Sequence, residues 1–255
     1  MRTGRNRRRS SSVELKAPQS WRELSQRQLR YVLQMLWTHD DTAEVKTLMF
    51  FRLTGLQVLR SIRGGVVCSL RQDGTLRRFT VMAWQVQQLM HQFDYIDKPD
   101  TMDVRLEAVR GCRAVDVVLH GVSFGDYLSC EKYYQAFLAS KRIDMLNELG
   151  RLLYRKPDGS KPDPWQLDEG EQACCFLWFG HVKAVLSRQF PKFFRPVGGV
   201  ESPSFVQSMN AQIRALTGGD ITQEERVLQC DCWRALTELN EKAREAEEFE
   251  RKYGK

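Results

Sequence analysis

The 255-residue sequence lacks the short motifs by which catalytic sites are usually recognised. There is no G-x-S-x-G motif, and four histidines give a nucleophile few partners. His120 precedes a predicted helix, but a lone histidine beside a turn is more often a surface or capping residue than a catalytic one. The acid pairs Asp40-Asp41 and Asp168-Glu169 fall at predicted helix starts, where they complement the helix dipole. We therefore predict a protein that is not an enzyme.

Metal-ligand spacing is missing as well. The seven cysteines are odd in number and include no C-x(2–4)-C pair. Cys174-Cys175 and Cys230-x-Cys232 lie in helical patterns, where side chains one and two positions apart point roughly 100° and 200° away from each other. We favour buried free thiols and predict neither a metal nor a cofactor. The alternative is a zinc site assembled across the fold with one of three histidines: His91, His120 or His181.

Long apolar segments are also absent. No apolar run approaches the ~20 residues that a membrane-spanning helix needs. The basic N-terminus is not followed by the apolar region of a signal peptide. These absences predict a cytoplasmic protein that does not contact a membrane.

Positive charge is concentrated at the N-terminus. The formal net charge is +7, of which residues 1–16 contribute +5. We predict a disordered basic arm over residues 1–17, because it holds too few apolar residues to offset the entropy of ordering. Such an arm can bind nucleic-acid phosphates, together with Lys192 and Arg195 in a basic-aromatic segment. The arginines of the arm are Arg2, Arg5, Arg7, Arg8 and Arg9.

From residue 18 onward, apolar residues recur mostly at helical spacing. Their pattern predicts an N-terminal helical part over residues 18–156 and a C-terminal helical part over 169–255, packed on the same core. A proline-rich loop at 157–168 joins them. One β-hairpin is predicted around Asp73-Gly74, and a second is possible around Gly111. The predicted fold is mainly α (α+β): a bundle-like multi-helix domain with one or two small hairpins.

The last 34 residues predict one long amphipathic helix from Thr222 to Lys255. Thr222 and Glu225 fit a T-x-x-E capping box. The apolar stripe is strong near the start of the helix and thins to alanines, while the other faces become charged. A helix of this kind is shaped to meet a partner, either a second copy of the chain or another protein. The predicted partner-binding residues are Leu236, Leu239, Ala243, Ala246, Phe249 and Tyr253.

Several stretches together resemble a poorly characterised family of phage and prophage proteins. They include Ser20-Trp21-x-x-Leu24, Phe50-Phe51-Arg52-Leu53-Thr54-Gly55 and Val122-Ser123-Phe124-x-x-Tyr127-Leu128. Leu216-Thr217-Gly218-Gly219-Asp220, ahead of Cys232-Trp233-Arg234-Ala235-Leu236, extends the likeness to the C-terminal part. The resemblance implies a protein of the tail-assembly region, such as a helical assembly chaperone that binds a phage structural protein. The basic arm is not part of this pattern.

Overall fold

The computed structural model describes Val13 and residues 15–72, 74–195 and 204–253. Within these ranges the chain forms nine α-helices and two three-stranded antiparallel sheets, which confirms the predicted mainly helical α+β class. None of these helices has the length and apolar character needed to cross a bilayer. The helices are α1 (Gln26–Thr38), α2 (Thr42–Leu53), α3 (Ala83–Met90), α4 (Phe124–Ser140), α5 (Ile143–Leu153), α6 (Glu169–Gln189), α7 (Phe205–Thr217), α8 (Glu224–Gln229) and α9 (Cys232–Tyr253). The strands are β1 (Gln57–Ile62), β2 (Gly65–Gln72), β3 (Thr75–Met82), β4 (Ala108–Val109), β5 (Cys112–Ala114) and β6 (Tyr154–Arg155).

The described chain separates into two compact units. Unit 1 comprises residues 43–94 together with the described N-terminal residues up to Gln19. Unit 2 comprises residues 20–42 and the chain from Tyr95 onward. Unit 2 is therefore discontinuous in sequence, because residues 43–94 lie between its first helix and the rest.

These units differ from the division predicted from the sequence. The proline-rich loop at 157–168 lies within unit 2 and separates no compact units. The predicted arm at 1–17 falls mostly outside the described residues, and so do all five of its arginines: Arg2, Arg5, Arg7, Arg8 and Arg9.

Unit 1 contains α2, α3 and the sheet β1-β2-β3. Its buried apolar side chains include Met49 and Phe50 from α2 and Cys68 and Val81 from the sheet. Gly74, with φ +76°, turns the chain from β2 into β3 as the sequence predicted. A Cβ on Gly65 would lie only 2.5 Å from the Val81 carbonyl oxygen, so the start of β2 tolerates no side chain. The Gly64-Gly65 pair therefore serves the backbone geometry of the sheet.

Unit 2 is built around α6, whose buried side chains include Trp178, Phe179 and Val182. The start of this helix is well defined, because Asp168 and Glu171 form a reciprocal capping box. Ser25 and Gln28 form the same motif at the start of α1, as predicted. α1, α4 and α5 contact α6, and each contributes buried apolar residues to the core.

Both sheets contain one strand more than the predicted hairpins. The hairpin β2-β3 is extended by β1, and the hairpin β4-β5 around Gly111 is extended by β6. All six residues of β1 are exposed, so it has no apolar alternation that marks a strand. β6 is only two residues long and directly follows α5, so the helical spacing of the apolar residues there gives no sign of a strand.

The prediction of one continuous terminal helix is wrong. The segment contains a 3-10 turn at Ile221–Gln223, then α8, a break at Cys230-Asp231, and α9. The predicted capping box does not form: no side chain caps α8, and Thr222 instead donates its backbone NH to Asp220. The break has a long-range cause, because Asp231 forms an isolated antiparallel bridge with Ser123.

Candidate partner-binding surface

Asp231 fixes the start of α9. Its Oδ1 accepts hydrogen bonds from the backbone NH of Trp233 at 2.9 Å and of Arg234 at 3.2 Å. Its Oδ2 accepts from the Gly121 NH at 2.7 Å. One carboxylate thus caps the helix and also holds it to the loop before α4. Backbone bonds on either side, Phe124 N to Cys230 O and Cys232 N to Val122 O, complete the attachment.

Trp233 anchors the first turn of α9. Its Nε1 donates to the Val118 carbonyl at 2.7 Å, next to the Val117 carbonyl that accepts from Trp178 Nε1. The Trp233 ring stacks on His120 with a centroid distance of 4.4 Å and meets the edge of Phe190 at 5.4 Å. The exposed His120 is therefore a packing partner of Trp233 at the surface, which fits the surface role that the sequence indicated.

The next turns of α9 belong to the core of unit 2. Leu236 is fully buried and Leu239 is 4% exposed, so neither side chain is available to a partner. Ala243 is half-buried, whereas Ala246 is exposed. The predicted partner-binding stripe must therefore be shortened: it begins after Leu239.

Polar contacts hold the middle of α9 to the turn that follows α6. Asn240 Oδ1 accepts from the backbone NH of Lys192 and of Phe193. Glu247 pairs with Lys192 at 2.5 Å and with Arg195 at 2.8 Å. The hydrogen bond from Lys192 and its charge, supplemented by Arg195, hold the pKa of the Glu247 carboxyl below its usual value. These two basic side chains, predicted as phosphate contacts, are thus paired with a carboxylate, and their nucleic-acid role stays a prediction.

The last turns of α9 expose an aromatic pair. Phe249 is 65% exposed and Tyr253 is 70% exposed, and their ring centroids lie 4.8 Å apart. Ala246, Phe249 and Tyr253 follow each other at steps of three and four, so they share one side of the helix. From Glu248 onward, no side chain forms a hydrogen bond or ion pair with another described element. We call these three residues the aromatic tip.

The helix in this region is held by its own ion pairs. Arg244 pairs with Glu241 and Glu248, and Lys242 pairs with Glu238, all at spacings of three or four residues. Such pairs stabilise an exposed helix by ~0.2–0.5 kcal/mol each, without tertiary packing. The aromatic tip is therefore not needed to keep the helix formed, and its apolar surface is available for contact with another molecule.

The cysteines behave as buried thiols. Six of the seven are buried, and Cys230 is half-buried. Burial raises the pKa of Cys174 to about 11 and that of Cys232 to about 12, which keeps both protonated and unreactive near neutral pH. Among the described residues, no group of three or more His, Cys, Asp or Glu side chains could hold a metal ion.

An open groove of about 470 Å³ in unit 1 contains a cluster of a lysine, a histidine and an aspartate. Asp94 accepts from Lys46 at 2.6 Å and contacts His91 Nδ1 at 3.2 Å. The hydrogen bonds from Lys46 and His91 lower the pKa of the Asp94 carboxyl. The other lining residues are Ala43, Trp84, Gln87, Gln88 and Met90, so no serine, threonine or cysteine lines the groove. The cluster has an oriented histidine but no nucleophile beside it.

The chain matches no known protein family, no curated protein and no solved structure.

Proposed function

We propose that this is a non-enzymatic, cytoplasmic interaction protein that binds another protein through the aromatic tip of α9. The exposed Phe249-Tyr253 pair on the last turns of a helix whose polar attachments to other described elements end at Glu247 carries this proposal. Large aromatic side chains dominate the energetics of helix-in-groove recognition, and here they cost the free protein no internal packing.

The base of α9 suits this role, because it presents the tip in a fixed direction. The Asp231 cap, the Trp233 anchor and the Glu247 ion pairs hold the helix along about four of its turns. A preorganised helix loses little conformational entropy on binding, in contrast with a segment that must fold first.

The resemblance to phage and prophage proteins suggests assembly of a phage tail as the setting and a phage structural protein as the partner. This more specific role is a proposal that rests on the resemblance. Self-association is the other possible use of the same surface.

Replacing both tip aromatics tests the proposal. We expect Phe249→Ser/Tyr253→Ser to melt at nearly the wild-type temperature, because both side chains are mostly exposed. Binding should weaken at least tenfold, since loss of a central aromatic anchor commonly costs about 2 kcal/mol or more. The full-length chain would be co-expressed with the products of adjacent genes and would also be examined alone by sedimentation velocity.

The matched control removes two other exposed apolar side chains of unit 2. Val206 is 58% exposed and Ile221 is 77% exposed, so Val206→Ser/Ile221→Ser removes exposed apolar side chains that are not part of the tip. It should retain both the melt and the complex. A tip variant that melts several degrees lower and still associates as the wild type does would show that the tip serves folding.

A further inference from the structure

The sheet of unit 1 has one inner face and one outer face. β2 is the central strand, and Cys68 on it is fully buried on the inner face. Val67, Ser69 and Arg71 alternate with Cys68 and therefore point to the other side. The strand register places Arg60 of β1 opposite Val67 and Arg78 of β3 opposite Ser69. Directly opposed residues share a face, so Arg60, Arg71 and Arg78 lie together on the outer side, one on each strand.

We call these three residues the arginine face. All three side chains are exposed. None forms an ion pair within the described chain, whereas Arg30, Arg155 and several other arginines of unit 2 are paired with carboxylates. Each guanidinium on this face therefore keeps its charge and its donors available.

Positively charged residues strongly outnumber acidic ones in the sequence around the arginine face. Residues 57–83 contain five arginines, no lysine and a single acidic residue, Asp73. Across residues 43–94 there are seven basic and three acidic residues, a net charge of +4, whereas residues 20–42 and 95–255 together carry −2. Excess positive charge is therefore concentrated in unit 1, and it consists mainly of the side chain best suited to grip phosphate oxygens.

Strand geometry spreads the three positions over the face. With ~3.3 Å per residue and ~4.8 Å between strands, their Cα atoms lie roughly 8–14 Å apart. Long arginine side chains on such a grid can reach several phosphates along one strand of nucleic acid, where charges recur every ~3.4 Å of helix axis. One isolated phosphate group would engage only part of the face.

The exposed side chains next to the arginines are mostly polar, which distinguishes this face from a lipid-inserting one. On the central strand between them, Val67 is half-buried and Ser69 is buried. Gln57 lies on the same strand as Arg60 and Thr80 on the same strand as Arg78, and both are exposed. The exposed apolar residues Ile62 and Leu76 lie at opposite ends of the face and form no continuous patch. Membrane-surface binding relies on a continuous apolar face, which is missing here. We propose that the arginine face binds the phosphodiester backbone of a nucleic acid without reading its sequence. This site shares no residue with the aromatic tip or with the N-terminal arm.

The test removes the three arginines from the full-length chain. Binding of fluorescein-labelled single-stranded and duplex oligonucleotides would be measured by anisotropy across a salt series. Arg60→Ala/Arg71→Ala/Arg78→Ala should weaken binding at least tenfold near physiological salt. It should also flatten the log–log salt slope by about 0.7–0.9 for each phosphate that an arginine no longer neutralises. Circular dichroism and thermal melts should match the wild type, since exposed side chains are removed.

Two controls distinguish the effect of the arginine face on binding from the effect of net charge and from that of the N-terminal arm. Arg188, Arg214 and Arg226 of unit 2 are exposed, so changing all three to alanine removes the same charge elsewhere. This control and deletion of residues 1–12 should each leave the contribution of the arginine face intact. The proposal is overturned if the charge-matched control weakens binding as much as the test variant does. It is equally overturned if arm deletion alone abolishes binding, or if phosphatidylserine vesicles bind in an arginine-face-dependent way while the oligonucleotides do not.

Discussion

Glu171 is a buried charge that links α6 to α1. Its side chain is 5% exposed, and its Oε1 accepts from Arg30 Nη1 at 2.9 Å. Its Oε2 accepts from the Asp168 NH at 3.0 Å and faces Arg110 at 3.4 Å. The same carboxylate thus completes a capping box and neutralises two arginines from other segments. A single side chain couples the start of α6 to α1 and to the β4-β5 turn.

We expect Glu171→Ala to lower the free energy of unfolding by about 1–3 kcal/mol, because it removes the acceptor of the Asp168 NH and of Arg110, and leaves Arg30 paired with Asp168 alone. Glu171→Gln should cost less, since the amide oxygen can still cap the helix. Urea denaturation followed by tryptophan fluorescence and circular dichroism would measure both. Glu169→Ala is the control, as Glu169 is exposed in the same turn and should change stability by no more than about 0.5 kcal/mol. Equal effects at positions 169 and 171 would contradict the assigned role.

At the scale of elements, the junction between α8 and α9 determines how the C-terminal part is held. The apolar spacing continues across Cys230-Asp231, yet the chain leaves the helix there to bridge to Ser123. Asp231 has two roles at this junction: one carboxylate oxygen caps α9, and the other accepts from the backbone NH of Gly121 in the loop before α4. Removing it should loosen the helix and its attachment together.

Asp231→Ala should destabilise the protein by about 2–3 kcal/mol, which combines the loss of a cap with the loss of a hydrogen bond to the loop before α4. Asp220→Ala provides the comparison, because Asp220 caps only the exposed turn at Ile221–Gln223 and should cost about 1 kcal/mol or less. Comparing the denaturant midpoints of the two variants measures this difference in stability. A cost for Asp231→Ala no greater than for Asp220→Ala would mean that the bridge itself, and not the carboxylate, holds the junction.

Elements with local signals could be predicted from the sequence, and those with long-range causes could not. The Ser25-Gln28 capping box and the glycine turn at Gly74 are both present in the structure. β1 could not be predicted, because a strand without a buried face shows no alternation of apolar and polar residues. The arginine face had a visible signal in the recurring arginines of residues 60–78, but only the strand register shows that three of them share one side. In α9, the apolar spacing predicted a helix, but spacing alone could not separate the buried Leu236 from the exposed Phe249.

Over the whole molecule, buried side chains are distributed very unevenly among the helices. α1, α5 and α6 contain many fully buried side chains, whereas α7 and α8 contain no buried residue. Elements with few buried apolar contacts open at a low free energy, even where their hydrogen bonds are complete. The C-terminal helices should therefore open before the core of unit 2 does.

Native-state hydrogen exchange with mass spectrometry would test this order. We expect peptides from α5 and α6 to exchange slowest and peptides from α7, α8 and the last two turns of α9 to exchange fastest. Peptides from the first turns of α9 should behave like the core, because Leu236 and Leu239 are buried there. Slow exchange of α7, at the level of α6, would show that its exposed residues are covered by something else in solution.

The interruption of unit 2 by residues 43–94 has a consequence for how the protein is made. α1 leaves the ribosome early, but its packing partner α6 begins about 130 residues later, which at ~5–20 residues per second is roughly 7–26 seconds of synthesis. During that interval Leu29, Val32 and Leu33 have no α6 to cover them. The sheet of unit 1 comes from one continuous stretch and can pair as soon as it emerges. The middle of the chain can thus fold first, while the first helix of unit 2 keeps its apolar side chains uncovered until α6 has been synthesised.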